Sequence, residues 1–182
     1  MRRLLIVVML LWSCATWAGD YEDGLEAYYV KRNYAMALQK FKLAASQGNA
    51  TAQYHLGVMH INGHGVEQNY SEATRWIKLA AIQGYSLAQY DLGVAYYNGQ
   101  GVLQDYLEAV KWYKLAAAQG FANAQSDLGD MYYNGQGVLQ NYPEAAKWYK
   151  LAAAQGIARA QNNLGLGYAT GQGVAQNYLL VH

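Results

Sequence analysis

The sequence has little cysteine, little net charge and few long apolar runs, and each shortage excludes a class of protein. Cys14 is its single cysteine, and 13 basic residues stand against 12 acidic ones, for a net charge of +1. A single cysteine cannot form an internal disulfide, so packing must stabilise the fold. The balanced charge gives no electrostatic basis for binding nucleic acid or an acidic membrane surface. Beyond the N-terminal residues, no apolar run is long enough to span a bilayer.

Residues 1–18 are predicted to be a secretory signal peptide. Two arginines precede the apolar run 4–12, and small residues then lead to a cleavage site before Gly19. The mature chain would have 164 residues and no cysteine, with 11 basic and 12 acidic side chains. The alternative is lipidation of Cys14, because residues 11–14 (LWSC) resemble a bacterial lipobox. We therefore expect a periplasmic or secreted protein, with a lipid anchor through Cys14 as the second route.

The rest of the chain, residues 19–182, is predicted to be one domain built from a repeated unit. The pattern A-Q-x-x-L-G recurs every 36 residues, and a fixed period of this length is typical of a solenoid. The first unit has a connection between its helices that is four residues shorter than in the others. The predicted units are 20–48, 49–84, 85–120, 121–156 and an incomplete unit, 157–182.

Each unit is predicted to contain two antiparallel helices, called A and B here, which makes the fold class all-α. In the unit 85–120, helix A covers 86–97, and helix B begins after Asp105 and ends before Gly120. Asp105 suits an N-cap, and Glu108 completes a capping-box pattern three residues later. The glycine-rich connection between the helices has no Lys-Ser/Thr after it and no strand before it. It is therefore predicted to be a structural turn and not a phosphate-binding loop.

Positions that are the same in every unit are interpreted as structural. Gly93 lies inside helix A, where glycine costs about 1 kcal/mol relative to alanine, so it indicates close approach of a neighbouring helix. The other fixed positions follow helical spacing and form one core stripe on each helix. In the unit 85–120 these stripes are Ala88, Leu92, Ala95 and Tyr96 on helix A, and Ala109, Trp112, Tyr113 and Ala116 on helix B.

Positions that differ between units lie on the opposite side of helix A, at spacings i, i+3, i+4 and i+7. We call this surface the variable helix-A face, and it is the candidate partner-binding site. The alternative is an ordinary solvated face. Its residues are Thr51, Tyr54, His55 and Val58; Leu87, Tyr90, Asp91 and Val94; Asn123, Ser126, Asp127 and Asp130; and Arg159, Asn162, Asn163 and Leu166.

Three motifs together resemble the Sel-one-like repeat (SLR) family, a relative of the tetratricopeptide repeats. They are A-x-x-x-L-G, the connection N-G-x-G-V, and the ending A-x-x-W-Y-x-x-A-A-x-Q-G. The resemblance covers residues 49–182, whereas the unit 20–48 matches only in helix B. It implies a right-handed α/α superhelix with helix A on the concave side, and a role in holding protein or peptide partners. A cysteine-rich branch has β-lactam-hydrolysing or penicillin-binding activity, but this chain lacks the cysteine pairs of that branch.

No cofactor, metal ion or catalytic group is expected. His55, His60 and His64 fall in one unit, but His55 and His60 would point about 140° apart on a helix. The leading interpretation is therefore a binding scaffold and not an enzyme. Two alternatives remain open: an envelope-associated hydrolase of β-lactam or peptidoglycan type, and a structural protein that self-associates through its incomplete last unit. The apolar side chains that would mediate that association are Leu164, Tyr168, Leu179 and Leu180.

Overall fold

The computed structural model describes residues 19–175, and within this range every regular element is a helix. The predicted signal peptide and residues Leu179 and Leu180 lie outside the described residues. Helix α1 comprises the helical residues 19–25 and the π-helical turn Glu26–Val30. The other helices are α2 (Tyr34–Ser46), α3 (Ala50–Asn62), α4 (Tyr70–Ile82), α5 (Ser86–Asn98), α6 (Tyr106–Ala118), α7 (Ala122–Asn134), α8 (Tyr142–Ala154) and α9 (Ala158–Thr170).

Consecutive helices pack as pairs, as the all-α repeat prediction requires. Helix α3 packs on α4, α5 on α6, and α7 on α8, so that α3, α5, α7 and α9 are A helices. The chain divides into two compact units at residues 85 and 86, with α1–α4 in the first and α5–α9 in the second. Within the described range, none of these helices has the length and apolar character needed to cross a membrane.

The B helices begin at the predicted caps, but the capping box is only half formed. The Asp105 side chain accepts a hydrogen bond from the backbone N–H of Glu108 at 3.0 Å. The Asp105 N–H donates to the carbonyl of Tyr96, and the Glu108 carboxylate forms an ion pair with Lys111. The glutamate therefore contributes to the solvated face of helix B and does not bond back to the cap. The same two-part arrangement holds at Asn69 and Asn141.

Two positions, one inside helix A and one in the connection between helices, show why the repeat has glycine there. A Cβ built on Gly93 would lie 2.6 Å from ring atoms of Tyr113 on α6, which confirms the predicted close approach of the two helices. Gly137, in the connection between α7 and α8, has a φ of 66°. A Cβ there would collide with the backbone carbonyl of Tyr106, at the start of the B helix one repeat earlier. Gly93 allows the two helices of one pair to approach closely, and Gly137 allows neighbouring pairs to do so.

The core lies between the fixed stripes, as predicted. Ala88, Leu92, Ala109 and Ala116 are fully buried, and Tyr113 is only 2% exposed. The small residues allow the helices to approach closely, while the tyrosine ring fills the space over Gly93. Each buried aromatic side chain removes ~150–250 Å² of surface from water. Packing of this kind stabilises the chain in place of disulfides.

The first unit has a complete helix A, which the motif comparison missed. A Cβ on Gly24 would lie 2.6 Å from the ring of Phe41 on α2, the same relation that joins Gly93 to Tyr113. Gly24 precedes Tyr29 by five residues, whereas Gly93 precedes Tyr97 by four. The π-helical turn Glu26–Val30 accommodates this extra residue. The inserted residue shifts the spacing of the helix-A motif, and the short connection after it hides the match further.

Candidate functional site

In the second compact unit of the chain, which contains α5–α9, the variable helix-A face borders a cavity of about 390 Å³. This volume falls within the ~300–1,000 Å³ of typical ligand pockets. Helices α5 and α7 supply most of the walls, with one side chain each from α6 and α9. We call it the Asp127 cavity. Its lining residues are Tyr90, Val94, Tyr97, Asn98, Tyr113, Asn123, Asp127, Asp130, Met131 and Arg159.

Arg159 joins two acids on the neighbouring A helix. Its guanidinium donates from Nη2 to Asp127, and its Nη1 lies 3.3 Å from Asp130 Oδ2. Its Nε donates to the hydroxyl of Ser126 at 3.2 Å. These partners precede Arg159 in the chain by 29 to 33 residues, close to the repeat length, so the repeat itself brings α9 beside α7. The arginine is therefore held by three side chains at the edge of the cavity.

Asp130 accepts hydrogen bonds from side chains of two neighbouring helices, α8 and α9. Its Oδ1 accepts from the Tyr149 hydroxyl at 2.6 Å and from Asn163 Nδ2 at 3.0 Å. Burial raises the pKa of the Asp130 carboxyl, and the hydrogen bond from Tyr149 and the charge of Arg159 oppose that rise. Burial, together with the hydrogen bond to Asp130, raises the pKa of Tyr149. The phenol thus stays protonated at neutral pH and donates to the carboxylate.

Aromatic rings form the other side of the Asp127 cavity. The ring centroid of Tyr90 lies 5.8 Å from that of Tyr113 and 5.0 Å from that of Phe121. Burial raises the pKa of the Tyr90 hydroxyl, and the charge of Asp127 raises it further. Tyr97 packs against Tyr106 with centroids 5.3 Å apart. The cavity therefore combines two carboxylates, one guanidinium and a rigid aromatic wall.

A second cavity of about 230 Å³ lies on the other side of Asp130. It lies against α7, α8 and α9, so the two cavities follow each other along the A helices of this unit. Asp130 lines both of them. The other lining residues are Tyr133, Asn134, Tyr149, Asn163 and Leu166.

The remaining predicted residues of this unit lie outside the two cavities. Ser126 is fully buried, so it supports Arg159 and is not available to a partner as the variable-face prediction requires. Asn162 is exposed on α9, while Leu87 and Asp91 are half-buried on α5. Variation between units therefore does not by itself place a residue in solvent, since Ser126 is buried and bonded to Arg159.

In the unit formed by α1–α4, the corresponding positions pack against aromatic side chains. The His55 ring stacks on Phe41, with centroids 5.0 Å apart and planes inclined by 11°. Burial lowers the pKa of His55 to about 4, so its imidazole is neutral at pH 7. Tyr54 contacts Tyr85 edge-on at 5.2 Å. Thr51 and Val58, like Tyr54 and His55, are only half-buried.

The other two histidines are placed in separate surroundings. His64 stacks on Tyr34 at 4.2 Å, and its Nδ1 lies 2.8 Å from the Tyr28 hydroxyl. His60 lies near the end of α3, and its Nδ1 is buried. Among residues 19–175, no three His, Cys, Asp or Glu side chains are grouped so that they could hold a metal ion.

Four residues of the Asp127 cavity fall outside the variable positions: Tyr97, Asn98, Tyr113 and Met131. Tyr113 was assigned to the core, and it serves both purposes, because one edge of its ring packs on Gly93 and the ring also borders the cavity. The variable-face spacing of helix A does not include these four positions. A side chain outside that face can still line a site when its neighbours differ from one unit to the next.

Comparison with known proteins places these features in a family. The Sel1 repeat profile matches residues 13–49, 50–85, 86–121, 122–157 and 158–180. The first match includes α1, which agrees with the complete helix A of that unit. No curated protein matches the chain significantly.

Several solved structures are similar. A protective antigen of uropathogenic Escherichia coli with an SLR fold is 39% identical, with a TM-score of 0.85, over 93% of this chain and 37% of that one. A Sel1 repeat protein from Oxalobacter formigenes is 38% identical, with a TM-score of 0.81, over 86% of this chain and 64% of that one. The present chain thus spans less than two thirds of either.

Helicobacter pylori cysteine rich protein B shares the fold alone. It is 21% identical, with a TM-score of 0.56, over 74% of this chain and 96% of that one. The helix pairs, the glycine contacts and the five repeat matches agree with one another. The chain belongs to the Sel1 repeat family.

Proposed function

We propose that this protein is an extracytoplasmic scaffold that holds a protein or peptide partner on its variable helix-A face. Sel1 repeat proteins generally mediate protein–protein interactions and are generally not enzymes. On the variable helix-A face the repeats of this chain differ from one another, so this face can be specific for one partner. We assign it no catalytic activity, because none of the described side-chain groups favours the hydrolase alternative.

The observation that carries the proposal is the Asp127 cavity. Six of its ten lining residues come from the variable positions of three successive A helices. A concave pocket that joins aromatic rings to a few oriented polar groups is the usual form of a binding site. Tyrosine and arginine are also enriched at the energetic centres of protein interfaces. If the variable helix-A face were an ordinary solvated surface, we would not expect its residues to converge on one such pocket.

The proposed location rests on the N-terminal sequence. An arginine pair, an apolar run and small residues before Gly19 have the order of a secretory signal peptide. Residues 19–182 contain no cysteine, so oxidation in such a compartment cannot cross-link them. Periplasmic or secreted placement is therefore compatible with a fold that depends on packing.

Substitution of Val94 by lysine tests the binding face. Val94 lines the Asp127 cavity, and a lysine there would fill it and place a cation beside Arg159. A photo-crosslinking residue at Asn98, on the same lining, is expected to trap the partner in the native envelope. We expect the Val94→Lys substitution to lower that adduct at least tenfold. Adducts would be identified by mass spectrometry, with circular dichroism to check the helix content.

Two controls accompany this experiment. Leu103→Lys introduces the same charge at a connection residue that is 91% exposed, and it should leave the adduct unchanged. A crosslinker at Lys111, on the exposed face of α6, should give no adduct with the same protein. Equal yield from Asn98 in the wild type and in Val94→Lys would remove the helix-A face as the binding surface.

A further inference from the structure

We infer that the Asp127 cavity binds a lysine or arginine side chain from a segment of the protein partner. The inference rests on the proposed function, since it names the chemistry that the variable helix-A face would recognise. The charge distribution, the contacts of Arg159 and the aromatic wall each support a cationic occupant.

Charge is divided between the two kinds of helix in residues 86–175. All four lysines of this range lie on the B helices α6 and α8, where they outnumber Glu108 and Glu144. The A helices carry three aspartates and a single arginine. The A helices, which supply nine of the ten residues that line the Asp127 cavity, are therefore acidic, whereas the B helices carry the lysines. Electrostatic complementarity selects a partner by the sign of its charge, so this face favours a basic segment.

The charges that line the cavity leave one negative charge unbalanced. Asp127 and Asp130 face it, and Arg159 is the single cation of its lining. The guanidinium already donates to Asp127 and to Ser126 and forms an ion pair with Asp130, so it is held on the acids although its side chain is 54% exposed. The side chains of Asp127 and Asp130 are 16% and 27% exposed, which leaves them accessible from the cavity. A second cation would complete the balance, and Arg159 shows that a guanidinium fits against these acids.

The aromatic wall suits the stem and the charge of such a side chain. Tyr90, Tyr97 and Tyr113 line the cavity, and a ring face attracts a cation within about 6 Å of its centroid. The same unit already uses this contact elsewhere. Lys114 Nζ lies 5.5 Å from the ring centroid of Tyr132, and Lys150 Nζ lies 5.9 Å from that of Tyr168. Methylene stems of lysine and arginine also pack well on apolar rings.

The test is a titration of the intact chain with four matched peptides, followed by amide NMR shifts. The peptides are Ac-Gly-Ser-Ala-X-Ala-Ser-Gly-NH₂, where X is lysine, arginine, norleucine or glutamate. We expect the lysine and arginine peptides to shift amides around Tyr90, Asp127 and Arg159. The norleucine and glutamate peptides should bind at least tenfold more weakly. Equal binding of the norleucine peptide, or tighter binding of the glutamate peptide, would overturn the inference.

Two substitutions in the cavity should act in opposite directions. Asp127→Asn removes a carboxylate and should weaken the lysine peptide about tenfold. Arg159→Gln removes the internal cation and should tighten the same peptide at least threefold. The matched controls are Glu108→Gln and Lys111→Gln, which make the same charge changes at an exposed ion pair on α6 and should leave the affinity unchanged. Asp127 and Arg159 contact each other, so a substitution of one also disturbs the other. Asn123→Asp avoids this problem, because it adds a carboxylate at the exposed rim of the cavity, and it should strengthen binding of the lysine peptide.

Other occupants of the Asp127 cavity would give different results in these titrations. Shifts of the cavity amides that grow with protein concentration alone would indicate a lysine from a second copy of the chain, and would overturn the inference. Shifts caused by spermidine but not by the basic peptides would indicate a free amine, with the same consequence. If no peptide binds while the Asn98 adduct still depends on Val94, then the basic-residue inference fails and the proposed function stands.

Discussion

Gly93 illustrates how one missing methyl group positions both the core and the site. The ring of Tyr113 occupies the space that a Cβ on Gly93 would need, and the same ring borders the Asp127 cavity. A larger residue would displace the ring and would therefore alter the cavity wall as well as the helix packing. Gly129 and Tyr149 repeat this relation one unit later, and Tyr149 in turn holds Asp130.

Alanine at position 93 should destabilise the protein although alanine is the better helix former. Its Cβ would lie 2.6 Å from two ring atoms of the buried Tyr113. Overpacking of a core costs about 1–3 kcal/mol, while the gain in helix propensity is about 1 kcal/mol. We therefore expect a net loss of up to about 2 kcal/mol in the free energy of unfolding. Urea denaturation, with an unchanged slope, measures this loss.

Gly165 provides the control with the opposite sign. It occupies the same helix-A position in α9, but no atom of the described residues lies within 4 Å of a Cβ built there. Gly165→Ala should therefore stabilise the protein by about 0.5–1 kcal/mol through helix propensity alone. A loss of stability at both positions would show that the contact with Tyr113 is not the cause.

At the scale of the element, the two residues of each predicted capping box have different roles at the start of a B helix. Asp105 caps α6, whereas Glu108 pairs with Lys111 on its surface. We expect Asp105→Ala to lower the free energy of unfolding by about 1 kcal/mol, because two backbone N–H groups lose their acceptor. Glu108→Ala should cost only about 0.2–0.5 kcal/mol, the value of an exposed helical ion pair.

High salt distinguishes these two losses in thermal or urea unfolding. Screening should strongly reduce the effect of Glu108→Ala, because both side chains of the ion pair are partly exposed and the Debye length is only about 3 Å at 1 M ionic strength. The effect of Asp105→Ala should largely persist, since it is a loss of hydrogen bonds. Equal costs that vanish together in salt would contradict this assignment of roles.

The elements themselves were predictable because their signals are local and repeated. Helix α6 follows Asp105 and ends before Gly120, whose φ of 85° matches the left-handed position expected of it. The π-helical turn of α1 was not predictable, since a single inserted residue has no local signature. Side-chain bonds that join the ends of paired helices were missed too, such as Gln119 Nε2 to Gln89 Oε1 at 2.7 Å.

The candidate site was predictable only in part. Spacing placed Tyr90, Asp127 and Arg159 on one face, and the structure brings them to one cavity. The network around Asp130 depends on how far Arg159 and Tyr149 reach across neighbouring helices. Such distances follow from the packing of three successive units, and no pattern within one unit encodes them. Ser126 was misplaced for the same reason.

At the scale of the whole molecule, the repeat separates stability from recognition. Fixed positions supply the caps, the glycine contacts and the core, so each unit is stabilised in the same way. Most variable positions lie on the other side of helix A, so they can change with less effect on that shared core; the buried Ser126 is an exception. Repeat proteins generally bind on surfaces formed in this manner by neighbouring units.

The proposed export of the protein is the last property that belongs to the whole chain, and it can be tested on the intact gene product. If residues 1–18 are a cleaved signal peptide, the mature protein begins at Gly19 and contains no cysteine. We expect mass spectrometry of the periplasmic fraction to show a chain that begins at Gly19, with a thermal midpoint unaffected by reductant. Cys14→Ser should change neither its mass nor its release. A lipid-modified N-terminus at Cys14, lost in Cys14→Ser together with membrane association, would instead assign the lipoprotein route and place the binding face beside a membrane.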